Sequence, residues 1–276
     1  MLIIFTDLDG TLLNADNYQY GGALVAIQQL QTQQIPIIPV TSKTRAEVEE
    51  LCQKLLFQDG FIVENGSAVF VPKLLNNFTV LETDRVQDYV LKQFGCSYRE
   101  AVQGVRALAE KLNLDLRGFN DMDITEIAER TGLSMEAAAR AKAREFTEPF
   151  IIITPKAINP GALKTAVSQL GFQIVVGDRF SHLIGQNAGK GVATQWFIQQ
   201  FIQQSQNHNP RVKIQTVGLG NSPNDLAMLD VVDIPIIIPG KNGPHPGLSG
   251  RGWRVAEASG SAGWGQAVQQ ICQNPD

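Results

Sequence analysis

The chain has 276 residues, 43% of them hydrophobic and 18% charged. That is ample for one large domain or two ordinary ones, and too apolar for disorder. With 23 Lys plus Arg against 27 Asp plus Glu, the formal charge is −4, which speaks against a nucleic-acid binder, a class that is normally basic. An anionic ligand must then be held by local positive groups or a metal, since bulk charge does not attract it. Cys52, Cys96 and Cys272 lie far apart in no metal-ligand spacing and read as reduced thiols. No apolar run approaches a membrane span, and the N-terminus opens directly on a strand pattern. The expected compartment is the cytoplasm, with no nucleic-acid or membrane partner; the oligomeric state stays open.

The first predicted element is a strand over Leu2–Thr6, apolar on both faces as in a buried parallel sheet. Tyr18–Gln34 has helical spacing in Ala23, Ile27 and Leu30. Ile35–Val40 is a short apolar strand, Arg45–Leu56 a helix, and Phe61–Val63 a strand with Ala68–Val71 as its hairpin partner. This alternation implies a parallel sheet with crossover helices. The character then changes. Thr83–Phe94 and Tyr98–Leu112 read as helices, Asp115–Asn120 and Met122–Ile124 as a strand and turn, and Ser134–Arg144 as a helix capped by Ser134. Phe150–Thr154, Phe172–Val176 and Ser181–Ile184 read as strands around a helix over Gly161–Leu170. The first pattern resumes with a helix over Gly191–Gln203, strands over Val212–Val217 and Ile234–Ile238, and a helix over Trp264–Cys272. The expected fold is α/β: a Rossmann-like parallel-sheet core over 1–82 and 187–276, with an inserted α+β cap over 83–186.

Four stretches carry chemistry. The first strand ends in Asp7-Leu8-Asp9-Gly10-Thr11. Residues two apart on an extended chain point the same way, so Asp7 and Asp9 can share a pocket at the carboxyl end of the strand, where open α/β sheets bind ligands. Crowded carboxylates suit a nucleophile, an acid/base partner and a divalent metal. The plainer alternative is an Asp-Gly turn. Thr41-Ser42-Lys43 ends the second strand, where a hydroxyl and backbone N–H groups can hold phosphoryl oxygens; helix capping is the alternative. Gly185–Gly191 is not a nucleotide loop, because the glycine spacing is short and Gly191 replaces the required Ser or Thr. Gly218–Asp225 is not a dinucleotide fingerprint, because Pro223 takes the third glycine position.

In this order the four stretches resemble the motifs of the haloacid dehalogenase superfamily, most of whose members are Mg-dependent phosphatases. The resemblance implies Asp7 as nucleophile, Asp9 as acid and then base, and Lys190 at a helix start neutralising nucleophile and phosphate. It implies phosphate binding by Thr41, Ser42, Lys43 and Asn224, and a Mg²⁺ held by Asp7, Asp9, Asn221 and Asp225. The sequence departs from the pattern at Asn221, where an aspartate is expected; an amide is still an oxygen ligand but carries no charge.

The insertion between the second and third motifs resembles the type IIB capped subgroup, and a cap of this size implies a small-molecule substrate. Several strings resemble the mannosyl-3-phosphoglycerate phosphatase family: Val40–Glu47, Val63-Glu64-Asn65-Gly66, Arg144–Phe150 and Asp178–Leu183. They imply a substrate-binding role for Asn65 and Gly66, and a glycosyl-3-phosphoglycerate substrate whose product is a compatible solute. Arg179 suits its carboxylate and His182 its oxygens, while Glu145 and Glu148 could meet sugar hydroxyls. The alternatives are a surface ion pair for Arg179, a satisfied half-buried ring for His182, and solvated or structural glutamates. Glucosyl-3-phosphoglycerate and sucrose 6-phosphate remain alternative substrates, and a non-catalytic sugar-phosphate binder an alternative class.

Overall fold

The computed structural model describes residues 1–73, 84–86, 88–153, 159–177, 179–208 and 212–273. The chain opens with β1 (Leu2–Thr6), α1 (Leu24–Thr32), β2 (Ile37–Pro39), α2 (Arg45–Leu55), β3 (Phe61–Val63) and β4 (Ala68–Pro72). Then come β5 (Asp84–Val86), β6 (Tyr89–Gln93), α3 (Tyr98–Leu112), β7 (Leu116–Gly118), α4 (Ile124–Thr131), α5 (Met135–Lys142) and β8 (Glu148–Ile152). It continues with α6 (Pro160–Gln169), β9 (Phe172–Val176), β10 (Ser181–Gly185) and α7 (Lys190–His208). Last are β11 (Gln215–Gly220), α8 (Leu226–Leu229), β12 (Ile234–Ile237), β13 (Arg254–Val255) and α9 (Gly260–Gln273).

The central sheet is parallel in the order β13-β12-β11-β1-β2. β1 alternates between two apolar layers: Ile4 packs with α1, α2 and α9, whereas Ile3 and Phe5 pack with α7 and α8. Both faces are therefore covered, which is why the strand is apolar throughout. From β1 the order runs outward to β2, and from β11 it runs the other way. The switch point lies between β1 and β11, where such sheets bind ligands.

Residues 84–86 and 88–93 correct the sequence reading. The helix expected over Thr83–Phe94 is instead β5 and β6, antiparallel in the sheet β3-β4-β6-β5; positions 83 and 87 lie outside the described residues. The unpaired edge of β4 takes a partner there, and backbone pairing outweighs a weak helical pattern. The second correction is α4. Ile124 is not a turn but the first residue of a helix capped by Asp123, whose side chain accepts the Glu126 N–H at 2.8 Å.

The segment from α3 to β10 builds the antiparallel sheet β7-β8-β10-β9. Phe150 on one face packs with α3 and α6, and Ile151 on the other packs with α4 and α5. The α4–α5 pair reaches the central domain, where α5 lies against α2 and Arg140 pairs with Glu50 at 2.6 Å. Among the described residues no helix is long and apolar enough to cross a membrane.

Candidate active site

β1 delivers Asp7 to the switch point and β11 delivers the turn that carries Asp225. α7 starts at Lys190, whose Nζ lies 2.6 Å from Asp7 Oδ1 and 2.6 Å from Asp225 Oδ1. All three side chains are buried. The end of β1 is held in place. Asp7 N–H donates to Leu219 O at 2.9 Å, and Thr6 Oγ1 donates to Asp7 O while accepting from the indole of Trp264. Asp225 Oδ2 accepts the N–H groups of Asn221 and Ser222 at 3.0 and 3.1 Å. The turn wraps so closely that a Cβ on Gly220 would lie 2.5 Å from the Asp225 side chain.

Burial and the nearby Asp225 push the Asp7 carboxyl up to about 7, with Lys190 acting against the rise. Burial also works against the Lys190 ammonium, but the charges of Asp225 and Asp7 outweigh it and hold its pKa above the ordinary lysine value. The result is a fixed cation between two carboxylates, out of water, where its field is strong.

Asp9 pairs outside this triad, at a sharp turn of the chain, and its charge still adds to the rise at Asp7. Its Oδ2 pairs with Lys43 Nζ at 3.0 Å, and its Oδ1 is buried with no hydrogen-bond partner among the described residues. Gly10 makes that turn possible: its φ is +78°, and a Cβ there would lie 2.3 Å from Asn221 Nδ2. The same contact places Asn221 against the Asp7–Asp9 loop. Lys43 also pairs with Glu47 at 3.5 Å and lies over the Tyr18 ring. Burial would lower its pKa, but Asp9 and Glu47 hold it above the usual value.

The second motif, Thr41-Ser42-Lys43, links β2 to α2. Thr44, not Thr41 or Ser42, caps α2 in a capping box with Glu47. Thr41 is buried, and its hydroxyl accepts the Lys43 N–H at 3.1 Å. Thr41 O and Lys43 O accept from the N–H groups of Asn65 and Glu64. The left-handed turn Glu64-Asn65-Gly66 has φ values of 49°, 60° and 81°. Such a conformation in non-glycine residues costs about 1–3 kcal/mol each and persists only where the surroundings enforce it. Asn65 is 2% exposed, and both polar atoms of its amide are without a hydrogen-bond partner among the described residues. Gly66 touches the Gly189–Lys190 peptide, where a Cβ would fall 2.2 Å from the Gly189 carbonyl.

A model of the haloacid dehalogenase-like hydrolases matches residues 4–98. The chain is 39% identical to a glucosyl-3-phosphoglycerate/mannosyl-3-phosphoglycerate phosphatase of Persephonella marina, over 98% of this chain and 97% of that protein. It is 33% identical to a protein of the same name from Methanococcoides burtonii, over 98% and 96% of the two chains. The chain belongs to the haloacid dehalogenase superfamily. It is a phosphoric monoester hydrolase of that superfamily. A solved sugar phosphatase of subclass IIB has the same fold, with a TM-score of 0.60 at 15% identity over 99% of this chain and 98% of that one.

Asn224, expected from the superfamily motifs, and Arg179 and His182, expected from the family strings, make no hydrogen bond to the triad among the described residues. Asn224 Oδ1 accepts from Ser222 Oγ at 2.5 Å, inside the turn that carries Asp225. Arg179 is exposed and donates to Thr131 O; its neighbour Asp178 lies outside the described residues. His182 on β10 has a buried Nδ1 without a hydrogen-bond partner among the described residues. Burial, and then Arg144, push its pKa down to about 3, so the ring is neutral.

The two glutamates suggested for sugar hydroxyls are otherwise engaged. Glu145 pairs with Arg45 at 2.8 Å. Glu148 is 1% exposed, and its Oε1 accepts the Asn120 N–H at 2.8 Å. Sequence reasoning assigned no role to Trp264, Glu64 or Arg144. The last two stand within motif strings, but no local pattern tells that they pair.

Proposed function

We propose that this chain is a Mg²⁺-dependent phosphatase that hydrolyses mannosyl-3-phosphoglycerate to mannosylglycerate, using an aspartyl-phosphate intermediate. The observation that supports the chemistry most is the Lys190 ammonium shared by Asp7 and Asp225 in a buried site. In this reading Asp7 attacks phosphorus, the P–O bond to the glycerate breaks, and Asp9 gives its proton to the departing oxygen. Water then attacks the aspartyl-phosphate, Asp9 takes a proton from it, and the bond between Asp7 and phosphorus breaks. Asp9 Oδ1, buried and unpartnered among the described residues, is the oxygen suited to this traffic. Lys190 offsets the charge of nucleophile and phosphate throughout. Thr41, Ser42, Lys43 and Asn65 face the phosphoryl oxygens in this account, with Gly66 allowing the close approach of Lys190, and Asn224 bonds the phosphate.

Among the described residues no three His, Cys, Asp or Glu side chains form a preformed metal cage. Mg²⁺ takes one or two carboxylates and completes its shell with phosphate and water. The hard oxygens of Asp7, the Asp9 main chain and Asn221 fit it. Asp225 fits less directly, since Lys190 and two amides engage its carboxylate. A bound Mg²⁺ would draw charge from the phosphoryl oxygens.

The unit from α3 to β10 serves as the cap in this proposal, with Arg179 and His182 meeting the glycerate and sugar. Both curated relatives carry glucosyl- as well as mannosyl-3-phosphoglycerate in their names, which favours glucosyl-3-phosphoglycerate as a second substrate. Phosphate release from both compounds and from sucrose 6-phosphate, with wild type and Asp7→Asn, tests the reading. Activity on the glycerate compounds that falls by several orders of magnitude in Asp7→Asn is expected. Binding without phosphate release by the wild type would instead make the chain a sugar-phosphate binder.

A further inference from the structure

Arg144 lies in the segment between α5 and β8, and its side chain is 3% exposed. Its Nε lies 3.2 Å from Glu64 Oε2, and its Nη2 donates to Thr147 Oγ1 at 2.6 Å. Both Nη atoms donate to Ser42 O at 3.1 Å. The Glu64 side chain is fully buried. Its carboxylate accepts the backbone N–H groups of Glu145, Phe146 and Thr147 at 2.8, 3.3 and 2.9 Å, and the Thr147 hydroxyl at 2.7 Å. Successive N–H groups turned onto one carboxylate form an anion nest. Here the anion belongs to the central domain and the nest to the α3–β10 unit.

Glu64 opens the left-handed turn, and Asn65 with its unpartnered amide follows it. Gly66 then abuts the Gly189–Lys190 peptide. Ser42, whose carbonyl Arg144 grips, precedes Lys43, the partner of Asp9. One buried cluster thus touches both loops that face the phosphate site, without itself reaching Asp7. Simple adhesion between the units would not require it to end on these two loops. Other contacts already join them, among them Arg140 with Glu50 and Thr44 Oγ1 with Arg140 O.

We propose that Arg144 and Glu64 are positioning residues: the docking of residues 144–147 onto Glu64 locks the Glu64–Gly66 turn and the Ser42 peptide, and so holds Lys190 and Lys43 in register for turnover. The inference rests on the phosphatase reading of the site. A device that fixes the reacting groups acts on every ester alike, because the loops it holds face the phosphate and not the leaving group. It is therefore distinct from a specificity contact.

The test is steady-state kinetics on p-nitrophenyl phosphate with MgCl₂ in excess, beside thermal melting, for Arg144→Lys, Thr147→Val and the double variant Glu64→Gln/Arg144→Met. The double variant leaves no lone buried charge, which is the usual cause of collapse when one partner is removed. Arg144→Lys keeps the charge but loses the two-pronged grip on Ser42. The expected result is kcat at least about tenfold lower in Arg144→Lys and in the double variant, with KM within about twofold and both variants still folded well above the assay temperature by melting. Thr147→Val should lower kcat about threefold, as befits one hydroxyl. A folded double variant with wild-type kcat would overturn the proposal and leave the pair a structural tie. If neither Arg144→Lys nor the double variant folds, Thr147→Val decides, and an unchanged kcat there overturns it. Wild-type turnover of the probe, lost in Asp7→Asn, tests the phosphatase reading separately.

Discussion

Glu148→Gln should stabilise the protein above neutral pH and leave it unchanged in mild acid. Glu148 is enclosed between β7, β8 and the start of α3, so close to Gly118 that a Cβ there would lie 2.1 Å from Glu148 Oε1. Burial pushes its carboxyl from the ordinary 4.5 up to about 7, although the Asn120 N–H, the Tyr98 hydroxyl and Arg144 all favour the ionised form. The folded state therefore holds this proton to higher pH than the unfolded chain does. Between about pH 4.5 and 7 the native state binds more protons, and its stability falls as pH rises through that window. At about 1.4 kcal/mol per tenfold in proton affinity, ionised Glu148 costs the fold about 3 kcal/mol above neutrality. A glutamine carries no charge and keeps the carbonyl that accepts from Asn120, while its NH₂ takes the place of Oε2, which has no hydrogen-bond partner among the described residues. Melting of wild type and variant at pH 4 and at pH 8.5 cancels the contributions of all shared groups. Near-equal midpoints at pH 4, and a variant higher by roughly 6–10 °C at pH 8.5, are expected. A gap independent of pH, or a variant less stable at pH 8.5, would refute the account of Glu148 as a buried acid.

Three further outcomes concern the site. Asn221→Asp restores an anionic oxygen beside the Asp7–Asp9 loop. Half-saturating Mg²⁺ should fall about tenfold at saturating substrate, with matching tightening of Mg²⁺ binding by calorimetry, and an unchanged constant would remove Asn221 from the metal site. In the proposed mechanism Asp7, raised to about 7, must be ionised to attack, so turnover should rise with pH through the acid limb. A bound cation favours the carboxylate, so raising Mg²⁺ should move that limb to lower pH; a limb that does not move would mean that Asp7 and the metal are not in contact. Arg179→Ala should lower kcat/KM on mannosyl-3-phosphoglycerate about 10- to 100-fold, the worth of a charge-assisted contact, and change p-nitrophenyl phosphate turnover less than about twofold. Equal losses on both compounds would place Arg179 outside the substrate pocket.

Much of this protein was written in local sequence. The unbroken apolar run of β1 follows from burial on both faces, where Ile4 meets one helical layer and Ile3 and Phe5 the other. α3 occupies Tyr98–Leu112 because Ser97 and Glu100 form a capping box and apolar residues recur along one face. Asp7, Thr41, Lys190 and Asp225 each follow a strand or open a helix, and the order of these motifs in the chain marks the superfamily. The rest depended on neighbours distant in sequence. Asp84–Val86 and Tyr89–Gln93 are strands because β4 offers an edge to β6 and β6 offers one to β5, and an edge is a property of the assembled sheet. Lys190 and Asp225 stand 35 positions apart, and nothing in either motif says that one ammonium serves two carboxylates. Glu145 and Glu148 resemble each other as letters, yet one pairs with Arg45 at the surface of α2 and the other is walled off from water. Glu64 meets residues 145–147 more than 80 positions away, and only the docking of one unit on the other brings them together. Propensity and periodicity act over a few residues, so they determine elements and motif positions. Desolvation and charge pairing act through space, so the protonation of Asp7 and Glu148 and the partners of Lys190 and Glu64 were decided by the tertiary structure alone.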